Sequence, residues 1–150
     1  MIEGIQDVYA EARHARRASK RSKAWFHTWR RRSKELVYQL DLLSGYAGPR
    51  VSAIHAEIGG VTDTLGPAVD LIMVRDFVET YAQGVPGTDV ENLHTAVDAQ
   101  IDDVMKEARK GARDAYRQKP KKFGKRLAKA VKRDLTPADD TDHNGEIAAD

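Results

Sequence analysis

The stretch that decides the fold runs from Glu3 to Leu43: EGIQDVYAEARHARRASKRSKAWFHTWRRRSKELVYQLDLL. Within it Ile5, Val8, Ala12, Ala15, Ser19, Ser22, Phe26, Trp29, Ser33, Leu36, Leu40 and Leu43 recur at alternating spacings of three and four. That is the period of a seam on one side of a helix. Fourteen of the 39 residues from Ile5 to Leu43 are charged, and none falls on those twelve positions. The pattern predicts one long helix over about 3–43, about 60 Å in length at 1.5 Å per residue. Gly45 and Gly48-Pro49 close it, since glycine accepts the left-handed C-cap and proline cannot continue the hydrogen-bond ladder.

Working outward, a short helix is expected from about 50 to 58, stopped by Gly59-Gly60. Gly66-Pro67 restarts a helix that runs to about Gln83. Its broad apolar face (Val69, Leu71, Ile72, Met73, Val74, Phe77, Val78, Tyr81) marks it as the expected most buried element. Gly84 and Pro86-Gly87 make a turn, and Thr88 with Glu91 has the spacing of a capping box. A helix over 89–118 then carries a second seam: Val90, His94, Val97, Ile101, Val104, Ala108, Gly111 and Ala115. Lys119-Pro120 breaks it, and a basic amphipathic helix over 121–135 places Phe123, Leu127, Ala130, Val131 and Leu135 on one side. Residues 136–150 are acidic, nearly without large apolar groups, and are expected to form a disordered tail.

The two seams grade in size in opposite directions. Paired antiparallel, Ser19 would meet Gly111, Phe26 and Trp29 would meet Val104 and Ile101, and Leu40 would meet Val90, small against small and large against large. The expected architecture is therefore all-α: a long antiparallel hairpin of 3–43 and 89–118 with two or three shorter helices packed on it, in one domain over 1–135. The same seams would also serve pairing between two copies of the chain.

Composition narrows the chemistry. The 150 residues include no cysteine, which excludes a disulfide framework, a zinc-thiolate site and a thiol nucleophile. Glu3, Asp7 and Glu11 interrupt any apolar signal region. The most apolar stretch, Val51 to Val74, carries Glu57, Asp63 and Asp70 and is divided by Gly66-Pro67, so no membrane span is expected. A location in the cytoplasm or within a nucleoprotein or virion assembly follows as the expectation. The formal net charge of +2 conceals blocks of opposite sign. Residues 12–34 hold ten Lys or Arg and no acid, whereas 35–105 hold twelve acids against only Arg50 and Arg75. Residues 106–134 hold thirteen bases and three acids.

Two basic blocks brought together at one end of a hairpin repel each other unless an anionic partner neutralises them. The sequence thus leads to an expectation of non-enzymatic, largely sequence-independent nucleic-acid binding. The residues expected to carry it are Arg13, Arg16, Arg17, Lys20, Arg21, Lys23, Arg30, Arg31, Arg32 and Lys34 from the first block. From the second come Arg109, Lys110, Arg113, Arg117, Lys121, Lys122, Lys125, Arg126 and Lys129. Seven of the ten bases in 12–34 are arginine, whose planar fork suits phosphate oxygens. Rival readings are a self-associating structural component of virion or connector type, and membrane-surface binding by the C-terminal amphipathic helix. The acidic middle segment would meet a protein partner or a second copy. A helix-turn-helix at 51–72 fails because Gly66-Pro67 falls where the recognition helix belongs. His14, His27, His55, His94 and His143 show no metal-ligand spacing, and His94 on the seam reads as a satisfied core residue. No catalytic residue, metal or cofactor is expected.

Overall fold

The computed structural model describes residues 1–137. They form six α-helices: α1 (Ile2–Ala18), α2 (Lys23–Tyr46), α3 (Pro49–Asp63), α4 (Gly66–Tyr81), α5 (Gly87–Gly111) and α6 (Pro120–Leu135). No strand occurs among the described residues. The expected acidic tail lies, apart from Thr136 and Pro137, outside them. No helix among them is long and apolar enough to cross a membrane.

The single rod expected over 3–43 is two helices. Ser19 Oγ donates to the Arg16 carbonyl at 2.6 Å and closes α1, and Ser22 Oγ accepts the Trp25 N–H at 3.4 Å and opens α2. Serine hydroxyls offer the backbone an alternative to the helical ladder, so two of them three apart within a crowded run of bases favour a reversal. The helices return antiparallel. His14 meets Trp25 ring to ring at 5.2 Å, and Glu11 pairs with Arg32 at 2.6 Å. Eleven of the twelve seam residues are buried, Ser22 being the exception. The seam is real, and its partner is its own other half.

Gly48 makes the next corner with φ of +143°, a conformation that side chains resist. Pro49 sits in the first turn of α3, and α3 packs on α2. Gly59-Gly60 do not stop α3, which continues to Asp63 because Ile58 and Thr62 are buried on the same face. α6 returns across the chain to pack on both α1 and α3, completing a four-helix unit. Arg126 reaches Glu57 at 2.5 Å and Asp134 binds the start of α3, so α6 and α3 are antiparallel.

α4 and α5 pack on each other. Only Ala68, Val69 and Ile72 of α4 are buried, whereas Met73, Val74, Phe77 and Tyr81 are exposed. The expectation that α4 is the most buried element is therefore corrected: its apolar face extends beyond the neighbours available to cover it. The capping box at Thr88 does not form either. The N-cap is Pro86, with no side-chain cap bond. α5 ends at Gly111 rather than 118, and Ile101, Met105 and Ala108 are its buried residues. His94 is half-buried, with Nε2 lacking a hydrogen-bond partner among the described residues. The long hairpin of 3–43 with 89–118 is absent, because α1 and α2 satisfy each other.

The centre of the unit is aromatic. Tyr9 on α1 stacks on Phe123 of α6 at 3.9 Å and lies 5.5 Å from Tyr116, whose ring meets Trp29 edge-on at 6.3 Å. The Tyr9 hydroxyl donates to the carbonyls of Ala115 and Gln118, each at 3.1 Å, and the Tyr116 hydroxyl lies 2.7 Å from Ser33 Oγ. Burial pushes both phenols up to about 12.

Candidate functional site

Three basic clusters arise from this packing. The first lies on α2. Phe26, Trp29, Ser33, Leu36 and Leu40 take the inward positions, so His27, Arg31, Lys34, Tyr38 and Leu42, spaced by three and four, are forced onto the outer face. With Arg30, Glu35 and Gln39 they line a shallow cavity of about 570 Å³. Arg30, Arg31 and Lys34 form no ion pair among the described residues. Arg32 behaves differently. It pairs with Glu35 at 2.7 Å and Glu11 at 2.6 Å, and the Glu35 hydrogen bond above all raises its pKa. Glu35, the one acid on the cavity wall, is thereby committed to Arg32. Lys23 is held by Asp98 at 3.2 Å.

The second cluster surrounds the α1–α2 turn, where the two basic blocks do meet. Arg16 donates to the Arg109 carbonyl, Arg109 Nη1 to the Ser19 carbonyl at 3.5 Å, and Arg13 Nε to the Tyr116 carbonyl at 3.1 Å. Burial, then the charges of Arg17, Arg109 and Arg113, lower the Arg16 pKa. Arg16 and Arg109 hold carbonyls at the ends of α5 and α1, where positive charge is favoured, and Arg13 holds one in the connection that follows α5. Their work is structural. Arg17, Lys20, Arg21, Lys110, Arg113 and Arg117 remain exposed around them.

The third cluster is a groove between α3 and α6. Phe123, Gly124, Leu127 and Ala130 are buried, so the apolar face that the rival reading would lay on a membrane is occupied and the lysines are left outside. The groove holds about 620 Å³ and is lined by Arg50, Lys122, Lys125, Arg126, Lys129 and Arg133, with Ala53, Ile54, Gln118 and Ala130. Lys121 is exposed nearby. Arg50 and Arg133 escaped the sequence reading. Arg50 is an isolated base in an acidic block, and only the fold carries it to α6.

Asp134 fixes that junction. Its side chain is fully enclosed and accepts the N–H groups of Arg50 and Val51, each at 3.0 Å, plus Arg50 Nη1 at 3.2 Å. Burial pushes its pKa up, but the hydrogen bonds from Val51 and Arg50 outweigh it and hold the carboxyl below its ordinary value. A carboxylate depressed in the folded state stabilises the fold above its unfolded pKa, about 3.9, and loses that contribution as pH falls through the lower folded value. Thermal melts of the wild type and Asp134→Asn should therefore differ most near neutrality and converge in acid. A gap that stays constant across the acid range would show that the charge of Asp134 does not matter.

The clusters lie on different helices, so the single converged pole expected from the sequence is corrected. Only the turn cluster joins the two blocks. Among the described residues, no three His, Cys, Asp or Glu are grouped to hold a metal ion.

Residues 3–79 match the family model described as the CHAD domain. That domain is associated with polyphosphate and triphosphate binding. This finding overturns the expectation of nucleic-acid binding, and with it the reading of a self-associating virion or connector component. No curated protein and no solved structure matches the chain. The matched segment runs from the start of α1 into the last turn of α4, just over half of the 150 residues, and the chain belongs to the CHAD domain family.

Proposed function

We propose that this chain binds inorganic polyphosphate, or another anion bearing a triphosphate, on the outer face of α2, and holds it without turning it over. The observation that carries the reading is the α2 cavity. It sets Arg30, Arg31 and Lys34 beside His27, none of the three cations paired with an acid among the described residues, inside the segment that matches the family. Arginine forks engage phosphate oxygens in pairs and lysine adds a mobile point charge. His27 to Lys34 spans about 10 Å along the helix, room for several linked phosphates rather than one. CHAD domains are linked to triphosphate tunnel metalloenzymes as partners, and a partner of that kind would supply any hydrolysis.

Binding measured with phosphate chains of increasing length should tighten until the cavity is spanned and then level off. It should weaken steeply as salt rises, because exposed charges are screened beyond about 8–10 Å at physiological ionic strength. An affinity indifferent to both chain length and salt would overturn the reading.

A further inference from the structure

We propose that the groove between α3 and α6 is a second, separate phosphate-binding site, selective for an extended oligophosphate. The proposal extends the phosphate chemistry of α2 to another face of the fold and does not require the α2 site to be correct.

The groove differs from a merely solvated lysine face in three respects. Its cations come from two helices, Arg50 from α3 and the other five from α6, and face a common space. All six charged residues on its wall are basic. Two of its three guanidinium groups are also positioned: Glu57 holds Arg126 at 2.5 Å, and the enclosed Asp134 holds Arg50 at 3.2 Å. A planar group fixed before the ligand arrives loses less freedom on binding. Lys122, Lys125 and Lys129 make no ion pair among the described residues and stand three and four apart on α6, with Arg133 one turn further. Lys122 to Arg133 covers about 16 Å. A lone phosphate would meet one or two of these groups, whereas a linked chain meets the whole row. A neighbouring cavity beside the last turn of α6 adds Lys132 to Arg50, Lys129 and Arg133.

The test is calorimetric titration of the full chain with a medium-length inorganic polyphosphate. The wild type, Lys122→Gln/Lys125→Gln/Lys129→Gln and Arg30→Gln/Arg31→Gln/Lys34→Gln are compared, with helicity checked by circular dichroism. The wild type is expected to bind at two sites. The α6 variant should lose one of them, with that site's affinity falling at least about tenfold, while the α2 variant keeps it. Orthophosphate alone should bind the groove far more weakly than the polymer. Should the α6 substitutions unfold the helix, Lys125→Gln alone and chloride competition on the wild type report the same site. A wild-type titration unchanged by the α6 substitutions overturns the second site. Loss of only the α6-dependent event, with no effect of the α2 substitutions, upholds the groove and removes the α2 reading instead.

Discussion

Replacing Arg30, Arg31 and Lys34 together by glutamate should weaken polyphosphate binding at α2 by at least about 100-fold, or about 2.7 kcal/mol. Each charge-assisted contact contributes about 1.5–3 kcal/mol where well formed, and less where exposed and screened. Three lost attractions at the lower end already reach this figure, and three new carboxylates add repulsion. The side chains are exposed or half-exposed, so each substitution should change stability by no more than about 0.5 kcal/mol. Arg32→Gln supplies the contrast. Arg32 sits among the same residues but is engaged by Glu11 and Glu35, and its replacement should leave affinity nearly unchanged. A loss below about threefold for the triple variant, or an equal loss for Arg32→Gln, would remove α2 as the binding face.

Tyr9→Ala should produce the largest loss of stability of any single substitution considered, roughly 3–5 kcal/mol, the range for truncating a buried aromatic. Tyr9 is wholly buried and touches three parts of the chain at once: Phe123 on α6, Tyr116, and the carbonyls of Ala115 and Gln118. Its removal leaves a cavity and deprives α6 of its main aromatic contact with α1. Against a total stability of about 5–15 kcal/mol, that loss unfolds a sizeable fraction of molecules on mild heating. Tyr9→Phe keeps the stacking and loses the hydroxyl, and should cost only about 1 kcal/mol. Urea titrations of the two variants decide the matter. A cost for Tyr9→Ala no larger than that of Tyr9→Phe would mean that the stack does not hold the helices together.

Much of the architecture is written in the residues near each element. Gly48-Pro49, Gly66-Pro67, Pro86-Gly87 and Lys119-Pro120 mark real helix boundaries, because backbone stereochemistry is local. The turn at Ser19–Ser22 escaped because the seam keeps its period across it. A spacing pattern records which side is apolar but not whether the rod is straight. α4 misled for a related reason: an apolar face is a demand for burial, and whether neighbours meet it depends on the rest of the chain. The candidate sites divide along the same line. The density of positive charge on 12–34 and 106–134 is legible, but which bases are neutralised is not. The deciding acids are remote, as Glu57 is from Arg126 and Asp134 from Arg50, 69 and 84 residues away.

The return of α6 to α1 sets the order in which the molecule can assemble. α1 with α2, α2 with α3, and α4 with α5 are neighbours along the chain and close short loops, which is entropically cheap and fast. Docking α6 and the connection that leads into it must bridge the 109 residues between Tyr9 and Gln118. Helical signal should thus recover early in refolding, while tryptophan emission, sensitive to Trp29 against Tyr116, should lag behind it. Simultaneous recovery of both signals would mean that the last helix joins a nucleus already forming around it.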